Sequence, residues 1–201
     1  MNMVCLDLEG VLVPEIWIAF SKAVGIPELQ RTTRDEPDYN KLMKFRLDIL
    51  KKNNIKLPDI QKVISTMEPL QGAIEFANNL REKTQLIILS DTFEQFAKPL
   101  MKKLSWPPLF CNSLIIDSEG NVTNYQLRQK EGKKEAVKAF KSINYKVFAA
   151  GDSYNDLAMI REANDGCLFR APQQIRKDYP DLPCVDTFDD FIFIINEFLN
   201  S

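Results

Sequence analysis

Two acids stand two residues apart, Asp7 and Glu9 in "MVCLDLEGVLVP", at the end of a short apolar run and directly before Gly10. In extended chain both side chains point to one side. Ionised carboxylates so placed must face water or share a cation, because burying an unpaired charge is costly. Gly10 lets the chain leave the strand with positive φ or come close to a ligand. A structural turn at a strand end fits D-x-E-G as well.

Three other stretches carry chemistry-bearing groups. "IILSDTF" ends an apolar run in Ser90, with Asp91 and Thr92 placed to cap a following helix whose free N–H groups attract anions. In "FAAGDSYNDLAM", Gly151 provides a turn and Asp152 follows at a strand end, where it could ligate Mg²⁺. Asn155 and Asp156 open the next helix, positioned to orient that ligand or to reach the metal through water. A plain helix start with an Asp cap is the alternative. In "QKEGKKEAVKAF" a helix begins near Lys133, with Ala136, Val137, Phe140 and Ile143 as its buried stripe. A lysine at a helix start is electrostatically unfavourable, which points to an anion opposite; Lys130 and Lys134 are near enough to blur the choice.

Composition removes several function classes. The chain of 201 residues has no histidine, which excludes Ser-His-Asp and Cys-His catalysis, phosphohistidine relays and imidazole metal sites. A net charge of −2 gives no electrostatic footprint for nucleic acid or an anionic membrane. No apolar run approaches a membrane span, and "DLEG" comes too early for a cleavable signal, so a cytoplasmic location is expected. Cys5, Cys111, Cys167 and Cys184 lie far apart without a C-x-x-C pair and read as reduced thiols. There is no G-x-x-x-x-G-K-[ST] motif to support ATP-dependent kinase chemistry.

The elements that must position these groups follow from periodicity. "MVCLDL", "QLIILS" and "YKVFAAG" are continuously apolar, as buried parallel strands are. Helical patterns alternate with them, which predicts an α/β fold: an open, mostly parallel, Rossmann-like sheet with helices on both faces. Ligands then bind outside the carboxyl ends of the strands, where Asp7, Ser90 and Asp152 fall. "LIIDSEGNVTNYQL" reads as a hairpin about Glu119-Gly120-Asn121, and "TFDDFIFIINEFLNS" as a final amphipathic helix. Residues 14–69 hold three helical patterns and no strand, which predicts a small helical cap on a core of 1–13 and 70–201. Within the cap, Tyr39, Leu42, Met43, Arg46, Ile49 and Leu50 share one helix face with Arg46 at its centre. A guanidinium there needs a partner: a ligand carboxylate, held two-pronged, or a nearby acid such as Asp38 or Asp48. Glu15, beside Pro14 at a helix start, is placed for the helix dipole.

In this order, Asp7-Leu8-Glu9-Gly10, Ser90, Lys133 and Gly151-Asp152-x-x-Asn155-Asp156 resemble the four motifs of the haloacid dehalogenase superfamily of phosphatases. "CLDLEGVLVPEIW", "RLDIL", "ILSDTF", "YQLRQK" and "AAGDSYND" resemble, more closely, its phosphoserine phosphatases and their bacterial branch with phosphoserine:homoserine phosphotransferase activity. Glu9 departs from the Asp usual at the second acidic position, and that branch shares the departure. The resemblance implies Asp7 as nucleophile forming an aspartyl phosphate and Glu9 as acid/base. It implies Mg²⁺ on Asp7, Asp152 and a main-chain carbonyl near Glu9, with Asp156 behind them. Ser90 and Lys133, with Asp91 and Asn155 beside them, would hold phosphate, while Arg46 and Glu15 would read the carboxyl and amino groups of O-phospho-L-serine or of L-homoserine as acceptor. Whether water or homoserine is the main acceptor stays open, as does the oligomeric state, a homodimer being one option. A phosphatase for another small phosphomonoester, a receiver-like signalling domain phosphorylated on Asp, and an inactive binding protein on this scaffold are the competing readings.

Overall fold

The computed structural model describes all residues except 34 and 37. Strand β1 (Asn2–Leu6) lies at the centre of a seven-stranded sheet, between β2 (Gln85–Phe93) and β5 (Lys146–Gly151), both parallel to it. On one side the sheet continues through β3 (Leu109–Ile116) to β4 (Val122–Gln126), and on the other through β6 (Asp165–Phe169) to β7 (Cys184–Val185). Only the β3–β4 pair is antiparallel. The α/β reading thus holds. The hairpin turns at Gly120 (φ 86°), held by Asp117, whose carboxylate accepts from the N–H groups of Glu119 and Asn121 at 2.9 Å each. β6 and β7 were not expected: β7 has two residues, too few to show a period, and β6 opens in Asp165-Gly166, a pair that reads as a turn.

The central strands are apolar throughout because both faces are covered. Val4 and Leu6 of β1 and Phe148 and Ala150 of β5 pack on one face; Met3, Cys5, Val147 and Ala149 pack on the other. The first face meets α4 (Ala73–Lys83) and α9 (Phe188–Asn200), and the second meets α6 (Gly132–Ser142), α7 (Leu157–Glu162) and α8 (Gln173–Asp178). Cys5 and Cys167 are buried free thiols, as their apolar surroundings suggested.

Three helices, α1 (Ile16–Val24), α2 (Tyr39–Lys52) and α3 (Leu57–Thr66), separate β1 from α4. They join the first core face through α5 (Glu94–Lys103), where Trp17 meets Phe96 at 5.3 Å between ring centroids. Pro99 lies inside α5 and cannot donate to the carbonyl one turn earlier. That carbonyl, of Gln95, instead accepts from Gln61 Nε2 of α3 at 2.9 Å, so the gap left by proline ties α3 to α5. The hairpin adds two contacts: Leu57 N–H donates to Gly120 O at 2.9 Å, and Tyr125 and Asn40 hydrogen-bond through their side chains.

α9 is held by an aromatic cluster in which Phe191 stacks on Phe76 at 4.9 Å and on Phe169 at 4.8 Å. Phe191 is fully buried. Phe191→Ala is expected to cost about 3–5 kcal/mol in urea unfolding with an unchanged slope. A loss below about 1 kcal/mol would mean that the stack does not anchor the helix.

Candidate active site

β1, β2 and β5 end side by side, and their ends bring the sequence-distant acids together. Asp7 N–H donates to Ala150 O at 3.0 Å, which continues the β1–β5 pairing one residue past the strand and fixes Asp7 beside Asp152. Gly10 then turns the chain away with φ 76°, and a Cβ there would lie 2.5 Å from the Asp152 carboxylate. The glycine of D-x-E-G is therefore required twice, for its backbone and for the space that Asp152 fills. Gly151 has the same use, since a Cβ on it would lie 2.1 Å from Cγ of Asp156.

Asp156 is fully buried. Its Oδ2 accepts from the N–H groups of Asp152 and Ser153 at 3.1 Å each and from the Ser153 hydroxyl at 3.0 Å, while Oδ1 accepts from Lys133 Nζ at 2.7 Å. It precedes α7 without capping it; its side chain turns back to hold the loop after β5. Lys133, in the first turn of α6, also pairs with Asp7 Oδ1 at 2.9 Å and with Asp91 Oδ2 at 3.7 Å. Among the three neighbouring lysines this is the one at the strand ends. Burial pushes its pKa down, but Asp156, Asp7 and Asp91 outweigh that and hold it well above the ordinary lysine value. Asp7 is raised well above the carboxylate range, first by burial and then by Asp156, against the pull of Lys133.

β2 runs on to Phe93, so Asp91 and Thr92 lie in the strand and do not cap α5, whose N-cap is Phe93. The expected capping role is thereby corrected: the parallel pairing with β3, shifted between Leu89 and Phe93, carries the strand past Ser90. Ser90 Oγ accepts from Thr92 N–H at 3.2 Å, and Asp91 Oδ2 accepts from Asn155 Nδ2 at 3.0 Å.

Glu9 and Glu15 exchange the expected places at α1. Glu15 is the N-cap residue but makes no capping hydrogen bond, whereas Glu9 Oε2 accepts from Ile16 N–H at 2.8 Å. Burial and then Glu15 raise the Glu9 carboxyl to about 7, against the Ile16 N–H, Thr92 and Arg46. Asp38 caps α2, accepting from the N–H groups of Asn40 and Lys41, so it is not the partner of Arg46. Arg46 is buried, donates through Nη2 to Arg31 O at 2.8 Å and lies over the Trp17 ring at 4.5 Å. Its Nε has no hydrogen-bond partner among the described residues, and burial lowers its pKa to about 10.

A cavity of about 380 Å³ is lined by Asp7, Glu9, Glu15, Arg46, Ser90 and Asp91 together with Lys133, Asp152 and Asn155. It brings together the sequence-predicted groups with Asp156 behind them. Trp17, Thr92 and Arg170 also line it and are not singled out by the sequence as ligand contacts: Thr92 reads there only as a helix cap, Trp17 stands in a resembling stretch without a role, and the sequence around Arg170 shows no pattern. Asp7, Asp152 and Asp156 each offer a carboxylate oxygen within 4.8 Å of the others. This all-oxygen set, with three acids against one ammonium, fits a hard divalent cation such as Mg²⁺. The Glu9 carboxylate lies outside the trio, so any role of that residue in holding metal falls to its main chain.

The comparisons agree with this geometry. A family model described as haloacid dehalogenase-like hydrolase matches residues 1–164. The chain belongs to the haloacid dehalogenase-like hydrolases. Within that family it is 54% identical over 201 residues to phosphoserine phosphatase ThrH of Pseudomonas aeruginosa, covering 100% of this chain and 97% of the relative. To a phosphoserine phosphatase of Pseudomonas syringae pv. tomato it is 56% identical over 189 residues, covering 94% of this chain and 80% of the relative. A substrate-bound phosphoserine phosphatase complex superposes with a TM-score of 0.77 at 18% identity, covering 97% of both chains, and so shares the fold.

The Lys133 network gives a direct test. Lys133→Met removes the ammonium that faces Asp7 and Asp156. Breaking a buried charge network costs about 3–5 kcal/mol, so a lowered melting temperature is expected, with part of the loss recovered on adding Mg²⁺. Unchanged stability would show that the acids do not need the lysine.

Proposed function

We propose that this hydrolase is a Mg²⁺-dependent phosphoserine phosphatase that passes the phosphoryl group through Asp7, and that it also transfers it to homoserine. The observation that carries the reading is the pairing, in one cavity, of a buried lysine–carboxylate cluster with a buried arginine whose Nε lacks a partner among the described residues. The first suits phosphoryl chemistry; the second suits a substrate carboxylate. The names of the two Pseudomonas relatives, at 54% and 56% identity, support the same substrate.

Residues 14–69 serve as a helical cap over the strand ends of the 1–13 and 70–201 core. Arg46, steadied by Trp17 and the Arg31 carbonyl, takes the α-carboxylate of phosphoserine two-pronged. Glu15 takes the α-amino group, so the cap recognises a zwitterion. Asp7, Asp152 and a main-chain carbonyl near Glu9 would hold Mg²⁺, with Asp156 fixing the loop of Asp152. When bound, Mg²⁺ supplies the positive charge that offsets repulsion between carboxylates and phosphate.

Asp7 attacks phosphorus; its new P–O bond forms as the bond to the seryl oxygen breaks, and Glu9 gives that oxygen its proton. Ser90 and Lys133 hold the phosphoryl oxygens while charge spreads over them, with Asn155 and Asp91 fixing the rim. Glu9 then takes the proton of an incoming hydroxyl, whose oxygen attacks phosphorus and releases Asp7. Water gives orthophosphate; homoserine gives phosphohomoserine.

Phosphorus NMR of the protein with Mg²⁺ and O-phospho-L-serine, with and without L-homoserine, tests both steps. Phosphohomoserine that rises with homoserine at the expense of orthophosphate is expected. Orthophosphate alone would remove the transferase activity, and no reaction would remove the substrate. Arg46→Ala is expected to lower kcat/KM for phosphoserine by roughly a hundredfold or more, on the scale of losing a charge-assisted carboxylate contact, and to spare an aryl phosphate. Equal losses on both substrates would make Arg46 structural and favour another phosphomonoester.

A further inference from the structure

The cavity is lined by five acids, Asp7, Glu9, Glu15, Asp91 and Asp152, and by three cations, Lys133, Arg46 and Arg170. Lys133 and Arg46 are each 6% exposed, and Lys133 is already claimed by Asp7 and Asp156. With Asp7 and Asp152 reserved for Mg²⁺ in the proposed reading, the acids that an arriving phosphate dianion meets are Glu9, Glu15 and Asp91, and two of the three cations are buried. Arg170 is exposed, and among the described lining residues it is the cation open to solvent.

Its placement is firmly determined. Arg170 follows β6, where its N–H donates to Val185 O at 2.8 Å and its Nε to Asp186 O at 2.9 Å. The guanidinium lies over the rings of Phe169 and Phe188, at 4.7 and 5.1 Å from their centroids. The Asp186 carboxylate is held two-pronged by Arg176 and meets Arg170 only electrostatically, while the hydrogen bond that Arg170 makes with this residue is to the main chain. The charge is thus fixed in position by aromatic and main-chain contacts. Arg170 also has φ 52°, in the left-handed region that a residue with a side chain occupies at a cost. Glycine or asparagine would make that turn more cheaply, so the arginine is explained by what its guanidinium does, against the two rings and the Asp186 carbonyl and at the cavity lining.

We propose that Arg170 is the solvent-exposed cation of the cavity lining that draws the doubly charged phosphoryl group into the site past Glu9, Glu15 and Asp91. The inference rests on the phosphomonoester reading above and adds to it a residue that recognises substrate charge on entry. Because Arg170 is exposed, its effect must weaken as salt screens it. The buried Lys133 and Arg46 are screened much less.

The test compares wild type, Arg170→Gln and Arg170→Lys in kcat, KM and salt dependence, with both phosphoserine and an aryl phosphate. Binding of inorganic orthophosphate is measured by calorimetry alongside. For Arg170→Gln, kcat/KM and orthophosphate affinity are expected to fall roughly threefold to tenfold at low salt, with kcat unchanged and a flatter salt dependence. Arg170→Lys should restore most of both. Wild-type affinity and salt slope in Arg170→Gln would overturn the proposal, as would a loss confined to kcat with a lowered melting temperature. Should phosphoserine prove inert while the aryl phosphate is turned over, only the substrate reading fails. The orthophosphate comparison decides the role of Arg170 without any turnover.

Discussion

One buried ammonium, Lys133, lies against Asp7 at 2.9 Å and Asp156 at 2.7 Å, with Asp91 at 3.7 Å. Carboxylates brought together in a low-dielectric interior repel, and without a cation they would protonate or push the strand ends apart. The lysine offsets that repulsion and lets them lie close, although burial and Asp156 still raise the pKa of Asp7, and much of the local structure serves that contact. Gly10 and Gly151 lack side chains where the carboxylates of Asp152 and Asp156 need space. Asp156 spends one oxygen on Lys133 and the other on the loop that carries Asp152. The β1–β5 pairing extends to Asp7. Charge compensation, sheet register and glycine placement are thus parts of one arrangement at the carboxyl edge of the sheet.

A second buried cation faces the same cavity from α2 under a different regime. Arg46 has an aromatic face and a main-chain carbonyl for company, and its Nε has no partner among the described residues. Lys133 is over-supplied with acids, whereas Arg46 has Glu9 and Glu15 only as more distant electrostatic neighbours. The asymmetry separates the two tasks expected of a small phosphomonoester enzyme. In the proposed reading, one end would stabilise a phosphoryl group and the other would take a substrate carboxylate. The Pro99 gap in α5, filled by Gln61, and the hairpin contact at Gly120 tie α3 to α5 and to the hairpin, and the Tyr125–Asn40 hydrogen bond ties α2, which carries Arg46, to β4 of the sheet.

Much of this was legible in the chain because acids and hydroxyls at the ends of apolar runs must meet when those runs are neighbouring parallel strands. Asp7, Ser90 and Asp152 were placed on that ground, and the face of α2 identified Arg46 by spacing alone. What escaped notice depended on three-dimensional contacts. The pairing of β2 with β3 carries the strand past Ser90, so Asp91 and Thr92 face the cavity from a strand and not from a helix cap. Glu9 takes the helix-capping bond that its sequence neighbour Glu15 was placed to make. Arg170 reaches the cavity from a stretch whose local sequence carries no ligand signal, Trp17 belongs to a stretch that carries the resemblance but has no role there, and β7 is too short to show a period.

Asp7 is the group proposed to take the phosphoryl from substrate. The most direct measurement is acid quench of the protein during turnover of phosphoserine with Mg²⁺, followed by borohydride reduction and peptide mass spectrometry. An aspartyl phosphate at position 7 would be reduced to a homoserine residue there, and that is the predicted result. Active turnover with position 7 unmodified, or with the modification on another carboxylate, would contradict it.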